Sequence, residues 1–340
     1  KIKGVQPYIY NFNVKKKFKE TATAFQPDII HFFTVYGRLT VSVLDAAREL
    51  NVKTIMSCND YKHICGNYKL FHHGKICTDC KEKPILSPLI NKCAHNSIPL
   101  SLITTIESAV HVTRDVWRRN IDCFLFSSKY MADITSDFWN NNHYEFDFLP
   151  NPFNLELNYC DVTPGSGFLY FGRISEEKGV EKFLSVAKHF PESIFTVVGD
   201  GSLLNVMRER YSNVPNIIFS GALWGSELKQ AIKNSKAIVV PSVWPENYPY
   251  VVLQAFSSGK PVIGSRRGGI PELIGDNGSR GILFDPDLKD DIIQAIEFMN
   301  SKSDYDLIKM GKSAQDFVEM EFSDKKIYSK LIKIYKKVLL

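Results

Sequence analysis

The feature that most constrains this chain is a rhythm in its second half, where short apolar runs are each followed by a turn and then an amphipathic stretch. The runs are GFLYFG, IFTVVG, NIIFSG, AIVVPS, PVIGS and GILF, beginning at Gly167, Ile194, Asn216, Ala237, Pro261 and Gly281. Each is too short for an ordinary helix and apolar without alternation, which reads as a strand buried on both faces. Helical spacing fills the gaps at 180–190, 226–234 and 251–258. A strand can return parallel to its predecessor only through a crossover, so strands alternating with helices predict a parallel sheet with right-handed connections.

The first half repeats the pattern less regularly. PDIIHFF, VKTIMS, IDCFLF and EFDFLP read as strands, with helical patterns in LTVSVLDAAREL, up to about Asn120, and from Lys129. A polar, cysteine-containing insertion at 58–97 interrupts the series. The 340 residues allow about two domains of 100 to 200 residues each, and 44% hydrophobic residues suffice for two cores. The expected division is a first lobe at 1–152 and a second at 165–320. A last helix at 323–340 joins the first lobe. Its apolar stripe is Ile327, Leu331, Ile334 and Val338, with Ser323 available as N-cap.

No apolar run is long enough to span a membrane, and no secretory signal is present, so the seven cysteines are expected as reduced thiols in a cytoplasmic protein. Lysines cluster at Lys15, Lys16, Lys17 and Lys19 and again from Lys325 to Lys337. A net charge of +5 is modest, and such runs are ordinarily solvated faces. Nucleic acid is not an expected partner. The basic runs, with the tyrosine- and phenylalanine-rich first half, would suit peripheral work at the inner face of the plasma membrane.

In open α/β sheets, ligands lie at the carboxyl ends of the strands, where loops meet helix N-termini. Four loops of the second half qualify. After GFLYF comes Gly172-Arg173-Ile174-Ser175-Glu176-Glu177-Lys178-Gly179, with two cations five residues apart, suited to a diphosphate. After IFTVV comes Gly199-Asp200-Gly201, a tight turn that would let the backbone approach a ligand. After AIVVPS comes Val243-Trp244-Pro245-Glu246-Asn247-Tyr248-Pro249, and after PVIGS comes Arg266-Arg267-Gly268-Gly269-Ile270-Pro271-Glu272. A glycine turn alone is usually just a turn, but four such loops on one sheet edge are a site.

FGRISEEKG, VVGDGS, FSGAL, VVPSVWPENYPYVVLQAFSSGKPVIGS and GGIPELI together resemble the GT-B-fold glycosyltransferases of family 4, also called glycosyltransferases group 1. In the first half, PDIIHFF, CNDYKHICGNYKLFHHGKICTDC and FLPNPF resemble one branch of that family. The resemblance implies two Rossmann-like, doubly wound parallel-sheet lobes facing a central cleft. It implies transfer, with retention, of a sugar from a nucleotide-diphosphate donor to a saccharide or lipid-linked acceptor, in surface polysaccharide or glycoconjugate synthesis. Arg173 and Lys178 match the pair that neutralises the donor diphosphate, whose charge grows as it leaves. Glu246 matches the first glutamate of the Glu-x7-Glu signature, which contacts hydroxyls of the transferred sugar. Asn247, Tyr248 and Pro249 fall on the donor-cradling loop, Gly172 opens the cation loop, and Gly268 and Gly269 match the glycine loop. Leu223 stands where the nucleotide base is held. The leaving phosphate itself helps deprotonate the acceptor, so neither a protein nucleophile nor a cofactor is required.

Three positions depart from the family pattern. The second signature glutamate is Gln254, which replaces a charged acceptor of ribose hydroxyls with one carbonyl and a donor, at a cost of about 1 kcal/mol. The family's His-Asp after the second strand is Asn59-Asp60, so Asn59 can hold a hydroxyl but not a proton, and Asp60 is the catalytic candidate there. The glycine-rich loop of the first strand has no match before Pro27, which fits a missing N-terminal segment. These departures motivate a second reading, a non-catalytic sugar-nucleotide-binding or scaffold protein with a degenerate site. Asp285-Pro286-Asp287 imitates a metal-binding DxD, but its residues are ordinary turn formers, and no catalytic metal is implied.

In the insertion, Cys65, Cys77, Cys80 and Cys93 follow the pattern Cys-x11-Cys-x2-Cys-x12-Cys. The Cys-x2-Cys core is zinc-knuckle spacing, and four thiolates would close a tetrahedral structural zinc site. A loop of reduced thiols and a redox pair at Cys77 and Cys80 are the alternatives.

Overall fold

The computed structural model describes residues 6–141, 143–155 and 159–340. The chain divides into two compact units, one of Lys1–Pro150 with Tyr328–Leu340 and one of Asn151–Ile327.

The first unit holds a four-stranded, all-parallel sheet of β1 (Ile29–Phe32), β2 (Lys53–Cys58), β5 (Cys123–Phe126) and β6 (Phe146–Phe148), in the order β1-β2-β5-β6. Between β2 and β5 lies the antiparallel hairpin β3 (Phe71–His72) and β4 (Lys75–Ile76). Its turn residues His73 and Gly74 both have positive φ, the backbone that suits a two-residue hairpin. Alternation along the strands sends Met56, Cys58, Phe124 and Phe126 into one core with Trp117, Met131 and Phe138. The lysine run falls on the helix Phe12–Phe25, where Lys15 and Lys19 both reach Glu49 at 2.5 and 3.1 Å. Much of this basic face is thus tied to the next helix, Ser42–Glu49.

The strongest polar anchor of this unit is Asp45, only 3% exposed. It accepts from the Tyr10 hydroxyl at 2.7 Å, Asn120 Nδ2 at 2.9 Å, and the guanidinium groups of Arg114 and Arg119 at 3.0 and 2.9 Å. Burial opposes its charge, but these donors outweigh that and hold its carboxyl below the ordinary aspartate value. His31 bridges the Tyr335 hydroxyl of the last helix, Asp324–Leu339, and the Ser57 hydroxyl of β2, both at 2.8 Å. Among the described residues no helix is long and apolar enough to cross a membrane.

The second unit is built on six parallel strands: β7 (Phe168–Phe171), β8 (Phe195–Val198), β9 (Ile217–Gly221), β10 (Ala237–Val240), β11 (Val262–Ser265) and β12 (Gly281–Phe284). All six coincide with the apolar runs of the sequence. Their order is β12-β11-β10-β7-β8-β9, the doubly wound arrangement in which the chain reverses direction between its first and fourth strands. Phe168 and Tyr170 face one core with Val197 and Val239, while Leu169 and Phe171 face the other with Val198 and Val240. Two cores explain why the central strands β7 and β10 are apolar and buried at every position. The helix Asp304–Phe322 starts with a reciprocal cap, Ser303 accepting from the Asp306 N–H and Asp306 from the Ser303 N–H. Ser323 ends this helix, and its carbonyl accepts from Lys326 and Ile327 of the next.

Candidate functional site

A reversal of strand order leaves two adjacent strands whose following loops diverge, and here those strands are β7 and β10. The loop after β7 carries Arg173 and Lys178, and the loop after β10 carries Ser242 to Pro249. At this point the Lys178 ammonium meets Glu246 Oε1 at 2.6 Å, and the Ser242 hydroxyl donates to the same oxygen at 2.6 Å. Glu246 is 6% exposed, so its carboxylate is a buried charge held by a cation and a hydroxyl. The Trp244 ring lies 5.1 Å from the Lys178 ammonium, adding a cation–π contact on its flank.

The loops are sewn together by backbone. The carbonyl of buried Glu177 accepts from Val243 at 3.0 Å, joining the β7 loop to the β10 loop. Gly269 N–H donates to the Glu246 carbonyl at 2.7 Å. Gly268 has φ +58°, and a Cβ there would stand 2.0 Å from that carbonyl, so its glycine is demanded by the close passage of the Glu246 backbone. Ser265 donates to the Ser242 carbonyl at 2.7 Å, fixing the end of β10.

Arg173 sits on the same loop with its guanidinium exposed and in no ion pair among the described residues. Its carbonyl accepts from the Tyr170 hydroxyl at 2.5 Å, and burial raises the Tyr170 phenol, keeping it a donor. Gly172 lies at the end of β7, directly before Arg173. Asn247 is buried, whereas the Tyr248 ring packs on Phe322 at 5.8 Å, so its side chain supports the lobe and its backbone belongs to the loop. Pro249 leads into the helix Tyr250–Ser257, on which Gln254 is half-buried and makes no side-chain hydrogen bond among the described residues. Leu223, on the loop after β9, is half-buried against the same core.

The turn at Gly199 passes close to the start of the β7 loop: a Cβ there would fall 1.8 Å from the Gly172 carbonyl. Asp285 and Asp287 form a turn clamped by Arg267 at 3.2 and 2.6 Å, with the Asp287 N–H donating to Asp285 Oδ1 at 3.0 Å. Ser242 was not singled out from sequence, and Trp244 was named only as a member of its loop, although both lie in the quoted stretch VVPSVWPENYP.

In the first unit, Asn59 is exposed just beyond β2. Asp60 accepts from the Tyr36 hydroxyl in a very short contact and from the Lys62 N–H at 3.0 Å, and burial raises its carboxyl. Lys62 in turn pairs with Glu107 at 2.6 Å.

Of the four cysteines of the insertion, Cys65 is buried and its thiol donates to Asn67 Oδ1 at 3.0 Å, while Cys77, Cys80 and Cys93 are half-buried. The neighbouring Cys80 thiol lowers that of Cys65, while burial pushes Cys93 up to about 12. Among the described residues no three His, Cys, Asp or Glu side chains already stand at the mutual spacing of a metal site.

Residues 166–317 match the family model described as glycosyl transferases group 1. The chain is 26% identical to sulfoquinovosyl transferase SQD2 of Arabidopsis thaliana over 309 residues, covering 87% of this chain and 54% of that protein. It is 29% identical over 176 residues to an Escherichia coli UDP-Gal:alpha-D-GlcNAc-diphosphoundecaprenol alpha-1,3-galactosyltransferase, covering 49% of this chain and 44% of that one. The chain thus spans about half the length of these two relatives. Among solved structures, Anabaena Alr3699/HepE in complex with UDP superposes with a TM-score of 0.69 at 16% identity, over 95% of this chain and 82% of that one. At that identity the likeness establishes the fold, which is GT-B.

Proposed function

Because residues 166–317 are a glycosyl transferases group 1 domain, we propose that the chain is a retaining glycosyltransferase using a nucleotide-diphosphate sugar. The observation that carries this reading is the Lys178–Glu246 pair at the switch point, assembled from loops that follow adjacent strands. In this reading the exposed Arg173 and the Lys178 ammonium receive the donor diphosphate and stabilise the charge it gains on leaving. Glu246, released by Lys178, accepts from hydroxyls of the transferred sugar. The leaving phosphate oxygen takes the acceptor proton on the same face, so retention needs no covalent intermediate. Gly268, Gly269 and Asn247 keep the Glu246 backbone in register.

The acceptor is a saccharide, and a lipid-linked one is favoured. The E. coli relative is named for a diphosphoundecaprenol acceptor. In the first unit, Leu86, Ile90, Ile98 and Leu102 are 55%, 65%, 58% and 47% exposed, with exposed Lys83 and Lys92 among them. Apolar side chains interleaved with lysines suit the surface of an anionic bilayer, on its cytoplasmic face.

The test is ligand-dependent thermal stability against UDP-, GDP-, ADP- and CMP-sugars, with Arg173→Ala beside the wild type. A donor at 100 times its Kd stabilises by about 2.7 kcal/mol. The expected result is a shift for one nucleotide class that Arg173→Ala abolishes. No shift with any class would refute a working donor site.

A further inference from the structure

We infer that a cavity in the first unit binds one neutral pyranose ring, held by Ser108, His111 and the aromatic side chains around them. The site belongs to the first unit alone and does not rest on the chemistry proposed for the donor loops. Its volume is about 240 Å³. Residues 62–66 of the insertion, with Cys80, Lys81 and Pro84, form one side. The helices Ile98–Thr113 and Val116–Asn120 and the end of the helix Lys129–Phe138 form the rest.

Ser108 and His111 stand three positions apart on one helix, so they share a face of it. They are 9% and 7% exposed, both line the cavity, and neither side chain makes a hydrogen bond among the described residues. The other histidine of the lining is already engaged, its Nε2 bonding the Thr135 hydroxyl at 2.8 Å. Burial lowers His111 to about 3, so its imidazole is neutral and offers one N–H donor and one acceptor nitrogen. Buried polar groups are nearly always paired, so the partner of these two is whatever occupies the cavity.

The lining sets the chemistry of that occupant. Trp117, Phe138 and Trp139 supply aromatic walls, the Trp117 ring meeting that of His111 edge to face at 5.4 Å. Each lysine and arginine of the lining is compensated: Lys62 by Glu107 at 2.6 Å, Lys81 by Asp137 at 2.6 Å and Arg118 by Asp115 at 2.9 Å. An anion would have to break such a pair, so the occupant is neutral. A wholly apolar one would leave Ser108 and His111 unpaired. A pyranose meets both demands, with C–H faces for the rings and edge hydroxyls for the serine and the imidazole. Water alone would fill the space with about eight molecules, most of them facing aromatic walls that cannot bond them, and an apolar ring face displaces such water favourably. Pockets for drug-sized ligands begin at about 300 Å³, so this one takes a single ring rather than a chain. Exposed Lys81, Asp115 and Asn140 mark its mouth.

The test is saturation-transfer NMR with tryptophan fluorescence on the full chain, using the methyl α-glycosides of glucose, galactose, mannose and N-acetylglucosamine. At least one should bind through its ring C–H protons. Ser108→Val, which removes the hydroxyl and fills part of the cavity, should weaken that binding by about tenfold or more. His111→Phe should do the same, and decides the matter if the valine variant does not fold. Donor-induced stabilisation should be equal in Ser108→Val and the wild type, so loss of donor binding and loss of this site are read separately. No binding by any of the four glycosides overturns the site. So does binding that survives both substitutions, or a cavity that takes indole and refuses every glycoside. With the site established, a methyl disaccharide bound as tightly as the monosaccharide identifies the terminal sugar of a glycan as its source, and exclusion of the disaccharide a free monosaccharide.

Discussion

Removing Lys178 should cost more than removing the carboxylate it holds, and the asymmetry follows from where each group sits. The Glu246 side chain is 8% exposed and that of Lys178 is 22% exposed. Truncating one partner of a buried pair typically costs about 3–5 kcal/mol, because the other charge is left without compensation. In Lys178→Ala the stranded group is Glu246, which keeps the Ser242 hydroxyl and a partial path to water. A cost of about 2–3 kcal/mol is therefore expected, below the fully buried range. In Glu246→Gln the stranded group is an ammonium on a flexible stem that can turn to solvent, and about 1 kcal/mol is expected. The double variant leaves no orphan and should cost about 1.5 kcal/mol, less than the sum of the singles by about 2 kcal/mol. Thermal unfolding reads this as a fall of about 5–10 °C for Lys178→Ala, largely restored by adding Glu246→Gln. Additive costs, or a Lys178→Ala variant as stable as the wild type, would refute the reasoning.

Gly268→Ala should destabilise by at least about 2 kcal/mol and abolish donor-induced stabilisation, because a Cβ at φ +58° meets the Glu246 carbonyl; calorimetry with and without donor checks both. Asp45→Ala should cost about 1–3 kcal/mol in urea denaturation, chiefly by taking the acceptor from buried Asn120, since Arg114 and Arg119 can turn to solvent, whereas loss of the Glu49 anchor through Glu49→Ala should cost under about 1 kcal/mol. Burial lowers His63 to about 3, and its ring bonds the Thr135 hydroxyl at 2.8 Å. The unfolded chain therefore binds this proton first, so stability is full above about pH 6.5 and falls by about 1.4 kcal/mol per unit down to about 3. Denaturation across that window should be less pH-dependent in His63→Gln, and equal slopes would contradict it.

The central strands β7 and β10 were legible because a parallel strand covered on both faces has no polar position to blur it. The helix expected at 180–190 was only half right. It runs from Val180 to Leu184, and a single further turn spans Ala187–His189. Its end is imposed from afar, by Asn216, whose buried amide lies 2.9 Å from the carbonyls of Ala187, Phe190 and Ser193. No local propensity announces a cap that arrives from 26 residues downstream of Phe190. The positions of Lys178 and Glu246 could be read from the ends of their strands, but their pairing could not, since it needs β10 seated beside β7. Ser242 and Trp244 were hidden for the same reason.

Lys178 and Glu246 stand 68 positions apart, and β10 joins β7 only after β8 and β9 have been laid on its other side. During synthesis, a chain that has emerged as far as β9 can form three paired strands with the cationic loop in place, but it lacks the carboxylate that keeps Lys178 oriented. An oriented Lys178 therefore arrives in one step, late, when the second half of the sheet docks. A truncated or proteolysed chain ending before Glu246 would carry an unopposed Arg173 and Lys178, a cationic loop open to any polyanion, while the completed sheet keeps Lys178 guarded by its own glutamate.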